Sequence, residues 1–187
     1  MRRPIQILLL TVGLLLAPTA ATLAQPYTYA LAGLVGVGGS FDETDAGFGN
    51  PTWQLTFTSD IAEKTFFAAR VGGIHWGSDD HVAEVAGPSL YYVVVAGEYR
   101  ETRDSFSGGF VEPGVYLGLG FYSLDGTNIE GESVSESAPG LAVGLTGDVP
   151  LNSKRNFTLR LEIAGHYAAL EAAQLFGMVH LGLSYHF

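Results

Sequence analysis

Apolar and polar residues alternate along most of this chain. A two-residue period places successive side chains on opposite faces of an extended strand, so the pattern predicts strands with one apolar and one polar face. Eight segments show it, at residues 27–39, 51–59, 65–76, 89–99, 110–122, 140–149, 157–167 and 176–187. The chain is therefore predicted to be all-β with eight strands.

The connections between these strands differ at the two ends of the predicted sheet. At one end they are mostly long, polar and rich in glycine, at residues 40–49, 76–88, 123–137 and 168–174, whereas those at the other end are mostly shorter. Each strand has about the 9 to 11 residues that cross a bilayer at a tilt. The pattern predicts an eight-stranded antiparallel up-and-down transmembrane β-barrel.

The smaller, polar face of the strands carries charges of both signs. An eight-stranded barrel is only wide enough for side chains to fill it, so we expect these groups to pair inside the lumen, although a proton or ion path remains an alternative. A soluble barrel of the lipocalin type has the same alternation with the faces exchanged, but charged mid-strand residues on one face favour the membrane barrel. The predicted lumen network is Arg70, Glu98, Glu112, Asp148, Arg160 and Glu162.

The N-terminus has the features of a secretory signal peptide. Arg2 and Arg3 precede an apolar stretch at residues 5–16, and a cleavage site with small residues ends at Ala24. We therefore assign residues 1–24 to the signal and 25–187 to one barrel domain. Loss of the two arginines changes the formal net charge from −10 to −12, which argues against nucleic-acid binding, and the absence of cysteine excludes disulfides.

Three segments carry a resemblance to a known family: "EPGVYLGLGFY", "DVPLNSKRNFTLRLEIAGHY" and "FGMVHLGLSYHF". They resemble the small eight-stranded outer-membrane barrels of Gram-negative bacteria, including the OmpA-type and OmpX-type membrane domains. The resemblance implies an outer-membrane monomer surrounded by lipid and lipopolysaccharide. It also implies that Leu183, Tyr185 and Phe187 form the C-terminal signal that the barrel-assembly machinery recognises, and that the last strand pairs with the first.

His166 is the first candidate to consider for a catalytic residue. Lipid A deacylases, which are barrels of the same class, have a serine two residues after a catalytic histidine, but this chain has Ala168 there. A lipid-modifying enzyme would instead need one of four serines to approach His166. These are Ser123, Ser133, Ser135 and Ser137. We predict no catalytic residues and no cofactor.

The long connections contain acidic residues and neither lysine nor arginine, whereas Lys64, Arg100, Arg103, Lys154 and Arg155 lie at the other end. The acids suggest a repulsive cell exterior, or carboxylates that recruit Ca²⁺ or Mg²⁺ to anionic lipopolysaccharide. The acids are Asp42, Glu43, Asp45, Asp79, Asp80, Glu84, Asp125, Glu130, Glu132, Glu136 and Glu171.

No metal site is assigned. A loop site around His75 and His81, with Asp79 and Asp80, is disfavoured because a metal needs several convergent ligands and a free loop does not hold them together. His180 and His186 are too far apart along one strand to share a metal. The expected function is a non-enzymatic outer-membrane barrel with acidic extracellular loops, acting in envelope integrity or in surface interaction and adhesion. A narrow porin-like channel is the other alternative.

Overall fold

The computed structural model describes residues 29–42, 48–78, 80–101, 111–128, 130–151 and 156–187. The predicted signal peptide, residues 1–24, lies outside these ranges. The described residues form nine strands: β1 Tyr29–Ser40, β2 Asn50–Ala62, β3 Thr65–His75, β4 His81–Val82, β5 Val85–Arg100, β6 Glu112–Asn128, β7 Ser133–Pro150, β8 Phe157–Ala168 and β9 Leu175–His186.

Eight of the strands close into a barrel, as the alternation predicted. Each pairs antiparallel with its neighbours in the chain, β3 pairs with β5, and β1 pairs with β9 to complete the ring. The short β4 pairs only with the start of β5. Closure leaves the spanning part of the sheet without an unpaired edge. Within the described ranges, no helix is long and apolar enough to cross a membrane.

The two faces of the wall follow the sequence pattern. On β8, Leu161 and Ile163 are exposed on the outside, while Glu162 between them is fully buried in the lumen. Many large apolar side chains cover the outside in this way, and Leu119 is 71% exposed. A shift of one residue in register would reverse both faces, so the pattern fixes which face encloses the lumen.

The two ends of the barrel are distinct. At one end, here called the terminal end, the backbones of Tyr29 and Phe187 exchange hydrogen bonds of 2.9 and 2.8 Å. The Phe187 ring packs against the rings of Tyr29 and Tyr185, each at 6.0 Å. The last strand therefore pairs with the first, as predicted. The opposite end is called the loop end.

Two of the predicted long connections contain strand residues, so the predicted boundaries were wrong there. β6 and β7 remain paired as far as Thr127 and Ser133, deep inside the predicted connection 123–137. The predicted connection 76–88 contains β4 and the start of β5. Serine, threonine and glycine are frequent in loops, but pairing between neighbouring strands satisfies their backbone groups here. β5, β6 and β7 have 16, 17 and 18 residues, longer than a tilted crossing needs.

The interior changes character from one end to the other. Apolar side chains fill it at the loop end, where Ile74, Leu90 and Leu124 are neighbours in register on three adjacent strands. Trp76 meets Phe176 edge-on, with ring centroids 6.4 Å apart. Charged and neutral polar side chains are frequent in the remainder. We define the loop-end plug as the buried residues Ile74, Trp76, Leu90, Leu124, Leu170 and Phe176.

Candidate functional site

The six residues predicted to form the lumen network all lie on the inner face of the wall. Each is at most 7% exposed. Five meet in one cluster of ion pairs, and Glu112 lies opposite Asp148, a member of this cluster, in the register of β6 and β7. The five clustered residues are Arg70, Glu98, Asp148, Arg160 and Glu162.

Glu98 is the centre of the cluster. Its carboxylate accepts from the guanidinium groups of Arg70 at 2.6 Å, Arg100 at 2.6 Å and Arg160 at 2.8 Å. All four side chains are at most 4% exposed. A buried charge is costly unless other charges and hydrogen bonds compensate it. Three guanidinium groups around one carboxylate therefore require further acids close by.

Asp148 and Glu162 supply these further acids. Asp148 Oδ2 lies 3.1 Å from Arg160 Nη1 and 3.2 Å from Arg100 Nε. Glu162 Oε1 lies 3.4 Å from Arg70 Nε, and Glu162 Oε2 lies 3.6 Å from Arg160 Nη2. In these contacts three arginines thus meet three carboxylates.

The sequence analysis grouped Arg100 with the basic residues of the terminal end and left it out of the lumen network, and the structure corrects this. The side chain turns into the lumen, where it is 4% exposed and covers the ring of Phe66 at 4.5 Å. The signal was present in the sequence, because Arg100 follows Glu98 by two residues and shares its face of β5. Because Arg100 is the last residue of its strand, it was grouped with the residues of the following turn.

A layer of neutral polar groups lies next to the cluster, on the side of the loop end. Tyr116 and Gln54 both donate to Glu162 Oε1 at 3.0 Å, and Tyr92 donates to Gln54 Oε1 at 2.8 Å. The Arg70 guanidinium lies over the Tyr116 ring at 3.6 Å. These contacts hold the carboxylate and the arginine in place, which is the behaviour of a rigid structural network.

His166 is buried in the lumen, where Nδ1 lies 2.9 Å from the Tyr122 hydroxyl. Tyr122 donates to the Leu141 carbonyl at 3.1 Å, so His166 Nδ1 is the donor to Tyr122. The serines that a lipid-modifying mechanism would require, Ser123, Ser133, Ser135 and Ser137, lie on the outer face of β6 and β7. The wall of the barrel separates them from His166.

The described histidines do not converge on a metal. His75 Nδ1 lies 3.0 Å from Ser89 Oγ, while His180 lies in the lumen and His186 Nε2 lies 3.4 Å from Thr158 Oγ1. Asp79, part of the suggested loop site, lies outside the described residues. Across those residues, no three histidine or acidic side chains are grouped for metal binding.

Several of the acidic side chains hold loop backbone in place. Glu136 accepts from the amides of Glu171 and Ala172, and Asp42 accepts from the amide of Leu175 at 2.6 Å. Asp80 accepts from the Gly77 amide at 2.8 Å. Glu43 and Asp45 lie outside the described residues. For these three carboxylates, backbone amides provide partners without a cation.

A closed eight-stranded barrel with a charged lumen and an apolar outer face has the fold of the small outer-membrane barrels. No protein-family model matches the chain, and no curated protein is detectably similar. Solved structures do match. The Neisserial surface protein A is 14% identical, with a TM-score of 0.64, over 87% of this chain and 100% of that one.

Two further solved structures are similar over most of their length. A major outer membrane protein from Thermus thermophilus is 15% identical, with a TM-score of 0.64, over 87% of this chain and 100% of that one. Ail, the attachment invasion locus protein of Yersinia pestis, is 15% identical, with a TM-score of 0.56, over 86% of this chain and 97% of that one. At these identities the likeness is one of fold.

Proposed function

We propose that the protein is an outer-membrane surface barrel that conducts no solutes and uses its loop end to contact partners outside the cell. The loop-end plug is the observation that carries this proposal. It fills the lumen with apolar side chains at the end where a pore would have to open, while β5, β6 and β7 continue past it.

The outer surface supports the membrane part of the proposal. On β5, the outward side chains from Tyr91 to Tyr99 span eight residues, about 27 Å along the strand and about 21 Å along the barrel axis at a tilt of about 40°. This approaches the roughly 25 Å apolar band of known barrels. Aromatic side chains lie near both edges of the band, as at membrane interfaces.

The proposal includes export and insertion. Residues 1–24 would direct the chain across the inner membrane, and Leu183, Tyr185 and Phe187 would be recognised by the barrel-assembly machinery. Leu183 and Tyr185 lie on the outer face of β9, and Phe187, also exposed, directly follows the strand. With the terminal end in the periplasm, the acidic loop end faces the exterior.

The loop end also offers a surface for protein partners. β8 pairs with β7 only from Gly140 onward, so within the described residues the segment from Ser133 to Ala138 has β6 as its only strand partner. An unpaired edge accepts an extended segment of another chain. Ail is an attachment invasion locus protein, and attachment through such an edge is the surface role we propose for this chain.

Single cysteines test the orientation cleanly, since the chain has none of its own. Thr127→Cys, on the extended part of β6, should react with a membrane-impermeant maleimide on intact cells. Glu63→Cys, in the turn between β2 and β3, should react only after lysis. Labelling of Glu63→Cys on intact cells would contradict the orientation.

Planar bilayers test the closed lumen. The refolded barrel should give no discrete conductance steps at high protein load. If it does give steps, and the acidic substitution Leu124→Asp in the plug raises their conductance, the protein is a channel and this part of the proposal is wrong.

A further inference from the structure

A band of polar side chains lies on the outer face of the barrel, immediately beyond the apolar band at the loop end. The strand register aligns them, since His75 pairs with Ser89, Ser89 with Asp125, and Asp125 with Ser135. Ser123 and Ser137 form a second paired row beside them. We define the rim patch as His75, Ser89, Ser123, Asp125, Ser135 and Ser137.

Hydrogen bonds across the strands hold the rim patch together. His75 Nδ1 lies 3.0 Å from Ser89 Oγ, and Ser135 donates to Asp125 Oδ1 at 2.6 Å. Ser137 donates to Ser123 Oγ at 3.1 Å. Each of these groups retains hydrogen-bonding capacity after these contacts, because a hydroxyl oxygen has two lone pairs and a carboxylate has a second oxygen. The patch is therefore an ordered array of donors and acceptors.

An aromatic surface borders the rim patch on the side of the apolar band. Gly73 has no side chain, and an added Cβ would lie 3.1 Å from the Tyr91 ring and 3.4 Å from Trp53 Nε1. The Tyr91 ring is 40% exposed and meets the His75 ring edge-on at 5.5 Å. The Tyr91 ring thus adjoins the rim patch at His75, and the Trp53 indole lies on the other side of Gly73.

The depth of the patch indicates what kind of molecule covers it. Val71, Val93 and Phe121 lie on the same outer face as the patch, one or two outward-facing positions closer to the terminal end. Two residues of strand span about 7 Å. In a membrane, a single molecule that contacts both surfaces must have a polar head joined directly to apolar chains, which describes a lipid.

The chemistry of the patch favours one kind of headgroup. Asp125 is the only acidic residue of the patch, and neither lysine nor arginine belongs to it. A carboxylate repels a phosphate but accepts hydrogen bonds from hydroxyl groups. Serine hydroxyls serve as both donors and acceptors for sugar hydroxyls, while an aromatic face packs against the apolar side of a sugar ring.

We propose that the rim patch binds the sugar headgroup of a glycolipid in the surrounding leaflet, with the lipid chains lying against Val93 and Phe121. This inference rests on the proposed membrane embedding. It assigns a specific headgroup contact to the outer surface of β3, β5, β6 and β7, on the side of the wall opposite the loop-end plug.

Native mass spectrometry of the mature barrel, refolded in detergent micelles, tests the proposal. The probes are a galactosyl diacylglycerol, a phosphatidylglycerol and a phosphatidylcholine with identical acyl chains, all in EDTA. We expect the galactolipid to be retained about fivefold more than either phospholipid, the effect of one or two net hydrogen bonds. The double variant Asp125→Asn with Ser135→Ala should abolish the preference. Ser59→Ala, an outward hydroxyl near the terminal end, is the matched control.

Several outcomes would overturn the inference. Equal retention of all three lipids, or loss of the preference in the control variant as well, would overturn the inference. Either result would leave the proposal of a membrane barrel unaffected. Preferential phospholipid binding that appears only with Ca²⁺ would instead assign Asp125 to a cation bridge. Release of fatty acid that disappears in Ser89→Ala would indicate hydrolysis. Failure to fold with micelles, monitored by heat-dependent gel mobility, would remove the proposed function together with this inference.

Discussion

Replacing Glu98 by glutamine should destabilise the barrel strongly without changing its shape. The substitution keeps the volume but removes the one charge that contacts Arg70, Arg100 and Arg160, all within 2.8 Å. Three buried arginines would then face two carboxylates in the cluster. Breaking a buried ion pair by removing one partner costs about 3 to 5 kcal/mol, a large part of the roughly 5 to 15 kcal/mol that stabilises a typical domain.

Urea unfolding of the refolded barrel in micelles, followed by tryptophan fluorescence, measures this effect. With a slope of about 2 kcal/mol per molar urea, the midpoint should fall by about 1.5 to 2.5 M. Glu101→Gln is the matched control. Glu101 pairs with Lys64 at 3.0 Å, but both side chains are partly exposed, so its midpoint should change little.

A second variant separates charge imbalance from lost hydrogen bonds. Combining Glu98→Gln with Arg100→Gln leaves two arginines and two carboxylates, with Arg160 still 3.1 Å from Asp148. The double variant should be more stable than Glu98→Gln alone. A midpoint for Glu98→Gln within 0.5 M of the wild type, a threshold of about 1 kcal/mol at this slope, would refute the reasoning about buried charge. A double variant that is less stable than the single one would refute the argument from balance.

Three further predictions concern packing, the plug and the surface. Gly144→Val should block folding in micelles, because its Cβ would lie 2.4 Å from a tyrosine ring of β6, whereas Gly165→Val, with its nearest contact at 4.0 Å on the outer face, should fold with wild-type gel mobility. Leu124→Ala should cost about 2 to 5 kcal/mol in urea unfolding, and an unchanged midpoint would mean that the plug is loosely packed. Hydrogen bonds, the largest contribution coming from Tyr99, lower the pKa of Glu101. The ionised carboxylate therefore stabilises the folded state at pH values above the ordinary carboxyl pKa, and this stabilisation is lost as the pH falls through the lowered pKa. Tyr99→Phe should raise that pKa in an NMR titration, and no change would contradict the hydrogen bond.

Individual residues illustrate where prediction from the sequence reached its limit. The inward placement of Arg70 and Glu162 follows from their parity on strands whose other face is apolar. Arg100 has the same parity as Glu98, yet its position next to a turn left it out of the predicted lumen network. Thr127 and Ser133 have residue types common in loops, and only their pairing across β6 and β7 makes them strand.

The sequence by itself determined the number of barrel strands, their two faces and the ends at which the connections lie. These follow from the period of two that the extended backbone imposes on every strand, a local property of the chain. The tertiary structure alone decided which groups meet. The three guanidinium groups around Glu98 come from β3, β5 and β8, and the rim patch aligns four strands. Such contacts depend on the register between strands, which involves residues far apart in the chain and is fixed only when the barrel closes.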